Sequence, residues 1–166
     1  MNTIISKRGS NNIEALSNYY PIVNNNWNYN TDVQASFRIQ HDKNNIYLNF
    51  RVVEVYASAR YVNINEPVYK DSCVEFFISF NNGNYYNLEF NCIGNLLGGY
   101  GPGRNNRVLL DKELLMSIKT LPSLGFNRIE IINRPIEWTL DVKISKEIFC
   151  YDRIDTFSGI NAFGNF

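Results

Sequence analysis

Glu75 and Glu89 lie in two stretches of alternating apolar and polar residues that flank an Asn82-Gly83 turn signal, so a hairpin places them on one sheet face. Cross-strand neighbours have Cβ atoms roughly 4.5 to 5.5 Å apart, near the roughly 5 Å that retaining glycosidases keep between their carboxyls. Hydrolysis also requires one carboxyl kept protonated in an apolar pocket, and neighbouring arginines favour ionisation instead. Asn87 and Asn91 share that face. Arg38, Asn49 and Arg51 join it if the two long hairpins belong to one sheet. Carboxylate, guanidinium and amide groups are planar and multivalent, which suits sugars, whose hydroxyls each donate and accept. The competing reading is a solvated face whose charges neutralise one another.

Other chemistry is poorly supplied. Cys73, Cys92 and Cys150 are odd in number, widely spaced and outside any C-x-x-C pattern, and read as reduced core residues. His41 is the sole histidine, which excludes a multi-histidine metal site, and it opens the polar run His41-Asp42-Lys43-Asn44-Asn45, a hairpin loop where it reads as a solvated turn residue. The run Gly98-Gly99-Tyr100-Gly101-Pro102-Gly103-Arg104 lacks the spacing and lysine of a phosphate cradle. It reads as a rim loop carrying Tyr100, Arg104 and Arg107 to the polar face, or as a plain connection. Tyr69, in the loop-like segment that holds Asn63, Asn65, Glu66 and Pro67, can stand at the rim of that face. Trp27 and Trp138 read as packing rather than as ligand platforms.

The elements that must position these groups are strands. Ala35, Phe37 and Ile39 alternate with polar residues and are answered by Ile46, Leu48, Phe50 and Val52; Val74, Phe76, Ile78 and Phe80 are answered by Tyr86, Leu88, Phe90 and Cys92. Trp138, Leu140, Val142 and Ile144 give a further half-buried strand, and residues 157–166 a last one. Asn11 followed by Glu14 resembles a capping box, which predicts a short helix over 12–19. The 26 asparagines punctuate loops. Many short strands without a βαβ rhythm predict an all-β fold, a two-sheet antiparallel β-sandwich of jelly-roll type with one or two short helices.

Composition sets the outer bounds. A chain of 166 residues, 45% hydrophobic and 14% aromatic, fills one core, and 16 basic against 16 acidic residues give no net charge and no basic run for nucleic acid. No apolar run approaches the roughly 20 residues of a membrane span. After Met1 the sequence lacks the apolar core of a secretory signal and so reads as cytoplasmic; a periplasmic or secreted chain already trimmed of its leader would read alike.

The segment Pro67-Val68-Tyr69-Lys70-Asp71-Ser72-Cys73-Val74-Glu75-Phe76-Phe77, followed by Tyr85-Tyr86-Asn87-Leu88-Glu89-Phe90-Asn91, resembles the family 9 carbohydrate-binding modules, particularly the stand-alone family 9-like proteins of Bacteroidetes. The glycine-rich run 99–104 and Gly159-Ile160-Asn161-Ala162-Phe163-Gly164-Asn165-Phe166 fit the same pattern. The resemblance implies a module over 27–166 preceded by a segment, 1–26, with a short helix, and ending before the family's second aromatic wall and closing strand. It implies a non-catalytic binder of oligosaccharide or polysaccharide ends, of xylan or cellulose type, associated with glycoside hydrolase systems. Tyr69 would stack on a pyranose where the family usually has tryptophan, and Glu75 would hydrogen-bond its hydroxyls. Glu89 and Asn91 would assist from the adjacent strand, with Arg38, Arg51, Tyr100 and Arg104 as further ligand contacts. No cofactor is expected; structural calcium is compatible with the resemblance, although no spaced Asp-x-Asp loop locates it. A glycan-active enzyme using Glu75 and Glu89, or a structural or protein-interaction sandwich, are the alternatives.

Overall fold

The structure is a computed structural model that describes residues 18–23, 32–80 and 83–166. Within them the chain runs β1 (Tyr20–Ile22), β2 (Gln34–His41), β3 (Asn45–Glu54), β4 (Ala57–Ala59), β5 (Cys73–Ser79), β6 (Tyr85–Asn91), β7 (Leu96–Gly101), β8 (Val108–Leu109), α1 (Lys112–Leu115), β9 (Lys119–Pro122), β10 (Ile129–Ile132), β11 (Ile136–Ser145) and β12 (Phe163–Asn165). One antiparallel sheet has the order β1-β2-β3-β11-β9 and the other β12-β5-β6-β7-β8; β10 pairs with β4 apart from both. The fold is a β-sandwich.

Alternation explains which face each strand buries. Ile46, Leu48, Phe50 and Val52 of β3 and Trp138, Leu140, Val142 and Ile144 of β11 are buried. They meet Val74, Phe76 and Ile78 of β5 and Tyr86, Leu88 and Phe90 of β6 in a single core cluster. Trp138 packs in this core, as its place in the alternation predicts, and its indole N–H donates to Glu54 Oε1 at 2.6 Å. Phe166 stacks on Phe37 of the first sheet at 3.5 Å between centroids and lies 5.1 Å from Phe76 of the second, tying the two layers together.

Several details depart from the sequence reading. Trp27 and most of the expected helix lie outside the described residues, and Asn18 and Tyr19 are not helical. The helical content described is α1, capped by the Asp111 carboxylate, and short 3-10 turns. The last strand spans Phe163–Asn165 alone, because the backbone reverses at Gly159, where φ is 77°. His41 is the final residue of β2 and half-buried rather than a solvated loop residue. The turn after it is organised by Asp42: burial raises this carboxyl's pKa, but hydrogen bonds from the Asn44 N–H and the Tyr47 hydroxyl outweigh it and hold the group at about 2. All three cysteines are free, but only Cys92 is a buried core residue; Cys73 is half-buried on an outer sheet face and Cys150 is exposed in a turn. No helix among the described residues is long and apolar enough to cross a membrane.

Candidate functional site

Each residue of β5 and β6 that does not enter the core points outward from the second sheet, so Cys73, Glu75 and Phe77 share a face with Tyr85, Asn87, Glu89 and Asn91. Glu75 lies directly opposite Glu89. The Cys92 N–H donates to the Ser72 carbonyl across the same strand pair. Counting inward from there, Glu75 and Glu89 occupy a non-hydrogen-bonded pair, the site type in which side chains lie closest. Like charges so placed repel.

This face is covered along its middle, since Asn87 and Glu89 are 1% and 5% exposed although they point away from the core. At one end the segment 61–71 closes over it: Asn91 donates to the Tyr61 carbonyl and to Asp71 Oδ2, and the 3-10 turn Val68–Lys70 packs against β5 and β6. At the other end Arg107 lies along Gly99, the residue opposite Asn87, and its guanidinium stands 5.7 Å from the centre of the Tyr85 ring. Tyr69, on the 3-10 turn, has half its surface exposed, and Glu75 is half-buried. Asn87 donates to Glu89 Oε1 at 2.6 Å.

The electrostatics follow from burial. Desolvation, then the opposed Glu75, raise the Glu89 pKa to about 7 against the pull of Asn87, Arg107 and Arg104. Glu75 is likewise raised by burial, with Arg107 and Arg104 opposing. The expectation that nearby arginines keep both carboxyls ionised therefore fails for Glu89, because loss of water outweighs guanidinium charge at this depth.

The structure brings together Glu75, Glu89 and, through its charge, Arg104, and it packs the turn that carries Tyr69 against the same two strands. It separates the others. Arg38 and Arg51 lie on the outer face of the opposite sheet, since the first hairpin's second strand, β3, pairs with β11 and not with β5. There Arg38 stacks on Tyr19 at 3.8 Å, and Arg51 makes a two-point contact with Glu137 at 2.8 and 2.9 Å. Tyr100 is a strand residue opposite Tyr86 and faces inward, its ring 4.4 Å from that of Tyr151. Asn91 is fully buried, and its Oδ1 accepts from the Asn95 N–H, so both ends of its amide serve the fold.

Sequence reasoning puts Asn87 on this face and Arg107 at its rim without giving either a ligand contact. The glycines gave the missed signal. A Cβ on Gly99 would lie 3.5 Å from the Arg107 Cβ, and one on Gly101 would lie 2.5 Å from the Asn106 carbonyl oxygen. The glycine run is thus largely strand β7, small so that the 104–107 segment can lie against it. Gly101→Ala is expected to push that segment off the sheet and lower ligand affinity about tenfold, the worth of one displaced charged hydrogen bond, while Gly103→Ala, which meets nothing within 4 Å, leaves titration isotherms unchanged.

Among the described residues no cluster of three or more histidine, cysteine, aspartate or glutamate side chains could hold a metal ion.

A β-sandwich with a covered, polar outer face is the architecture of a binding module. The model of carbohydrate-binding family 9 matches residues 12–166, and the chain belongs to that family. Among solved structures it is similar to a crystal structure of a Bacteroides uniformis protein provisionally described as carbohydrate-binding, with 30% identity and a TM-score of 0.82 over 89% of this chain and 68% of that one. A search of curated proteins finds no match.

Proposed function

We propose that the protein is a non-catalytic carbohydrate-binding module that takes glycan ends or short oligosaccharides of xylan or cellulose type, in the service of polysaccharide breakdown. The observation that carries this reading is the outer face of the second sheet, where the half-buried Glu75 opposes Glu89 and the 3-10 turn that bears the exposed Tyr69 ring packs against the same two strands. A pyranose presents an apolar face to a ring and equatorial hydroxyls to a carboxylate, so both can engage one sugar. Family membership supports carbohydrate as the ligand class.

Calorimetric titration with cello- and xylo-oligosaccharides tests the reading. Tyr69→Ala should weaken binding at least about tenfold, and Tyr69→Trp, with its larger π-face, should tighten it. Unchanged affinity in Tyr69→Ala removes the platform.

A second reading draws on the opposed carboxyls, because a glutamate near neutrality facing another is the arrangement of a general acid and a nucleophile. Against it, Glu89 commits one oxygen to Asn87 and keeps a guanidinium in range, which opposes the protonated form. Release of new reducing ends from labelled oligosaccharides, abolished by Glu75→Gln, would establish hydrolysis.

A further inference from the structure

Three buried polar atoms on the covered sheet face have no hydrogen-bond partner among the described residues: Asn87 Oδ1, Glu89 Oε2 and Arg107 Nη1. Buried polar groups are nearly always paired, and an orphan costs the desolvation of the group, so three on one face call for a common explanation. They are neighbours. Asn87 and Glu89 are joined by the amide-to-carboxylate hydrogen bond, and Arg107 lies along Gly99, opposite Asn87, with its charge acting on both Glu75 and Glu89. With Glu89 ionised, the same hydrogen bond fixes the Asn87 amide, because only its NH2 can donate to the carboxylate, which leaves the oxygen as the atom without a partner.

We propose that Asn87, Glu89 and Arg107 form a ligand-contacting triad on the outer face of the second sheet, where Glu75 opposes Glu89, and that it selects an uncharged sugar unit presenting adjacent hydroxyls. This rests on the carbohydrate-binding reading and adds to it the residues and the ligand polarity. Two of the orphans, Asn87 Oδ1 and ionised Glu89 Oε2, accept, and the third, Arg107 Nη1, donates. The complementary group must therefore supply two donors and an acceptor at adjacent positions. Neighbouring hydroxyls do so, since each donates one proton and accepts through its lone pairs. A carboxylate supplies acceptors alone and would leave both protein acceptors unpaired beside a second carboxyl, Glu75. A sugar reaches these atoms by displacing the half-buried Arg107 side chain, which then closes on a ligand oxygen. The hydroxyl that donates to Glu89 favours its charged form, so binding below neutral pH expels a proton to solvent. The charged and titratable groups around Glu89 that enter this balance are Glu75 and Cys73 on β5 and Arg104 and Arg107 in the segment after β7.

The test is calorimetric titration of the whole chain with cello-, xylo- and manno-oligosaccharides and with tetragalacturonic acid, in two buffers of different ionisation enthalpy at pH 6. Expected are binding of a neutral sugar at least about tenfold tighter than the uronate, proton release, and a loss of about tenfold or more in both Arg107→Ala and Asn87→Ala, with Arg107→Lys recovering part of it. Arg107 is half-buried, so its alanine variant folds, and an unchanged melting temperature shows this. Wild-type affinity retained or improved in Arg107→Ala, proton uptake, or preference for the uronate overturns the triad while leaving Tyr69-dependent sugar binding in place. Failure of every saccharide to bind wild-type protein overturns both.

Discussion

Asp71→Ala is expected to lower stability by about 3 to 5 kcal/mol and to abolish ligand binding with it. The Asp71 side chain is fully buried, and its two oxygens accept from the Arg60 N–H at 3.0 Å, the Tyr61 N–H at 3.1 Å and the Asn91 amide at 3.0 Å, with the Arg60 guanidinium 3.8 Å away. Alanine leaves two backbone donors and one of the two N–H groups of the buried Asn91 amide unpaired, each costing roughly 1 to 3 kcal/mol. For a chain of this length each kcal/mol corresponds to about 2 to 4 °C, so the melting temperature should fall by about 10 °C or more. The same bonds anchor the segment that carries Tyr69 to the sheet edge, so sugar affinity should disappear even at temperatures where the variant is folded. Asp71→Asn keeps one carbonyl acceptor and should lie between. A drop of less than about 1 kcal/mol in urea denaturation would show that Asp71 does not hold this segment.

The role of Asp71 shows where the sequence is legible and where it is not. Strict alternation in 46–52, 74–80 and 138–144 is a local signal, and it returned β3, β5 and β11 with the right faces buried. Glu75 meets Glu89 in the hairpin that the Asn82-Gly83 signal predicts; Gly83 adopts φ 77°, while Asn81 and Asn82 lie outside the described residues. Sheet membership has no local signal. Nothing in residues 46–52 states that their second neighbour is a strand 90 residues later and not the next hairpin, so the condition that would bring Arg38 and Arg51 to the face of Glu75 is not met. Depth was equally hidden: Asn91 and Glu89 look alike as outward polar residues, yet the 61–71 segment consumes Asn91 in holding itself to the sheet. Glycine is ambiguous in the same way, because a run that signals loop freedom equally serves close approach within a strand, as 98–101 does.

Burial of the carboxyl pair makes stability depend on pH in a direction opposite to that of most acidic residues. Glu89 titrates at about 7 in the folded protein against an ordinary 4.5, so the folded state binds more protons than the unfolded state between those values. The stability this group lends is fully present below pH 4.5, declines as pH rises through 7, and is lost above it. A displacement of this size corresponds to about 3 kcal/mol, or a melting temperature about 6 to 12 °C lower at pH 8 than at pH 4.5. Glu75 and Glu54, both raised by burial, add to the same slope. Asp42 runs the other way: held at about 2, it contributes stability above its ordinary value that fades as pH falls below 4. Thermal melts from pH 2 to 9 should therefore peak in the weakly acidic range and fall on both sides. Glu89→Gln keeps an acceptor for the Asn87 amide and removes the charge, so it should flatten most of the alkaline limb, gain stability over wild type at pH 8, and match it near pH 4.5. An alkaline limb of equal slope in this variant would mean that Glu89 ionises freely in the folded protein and that the opposed glutamates do not share a desolvated site.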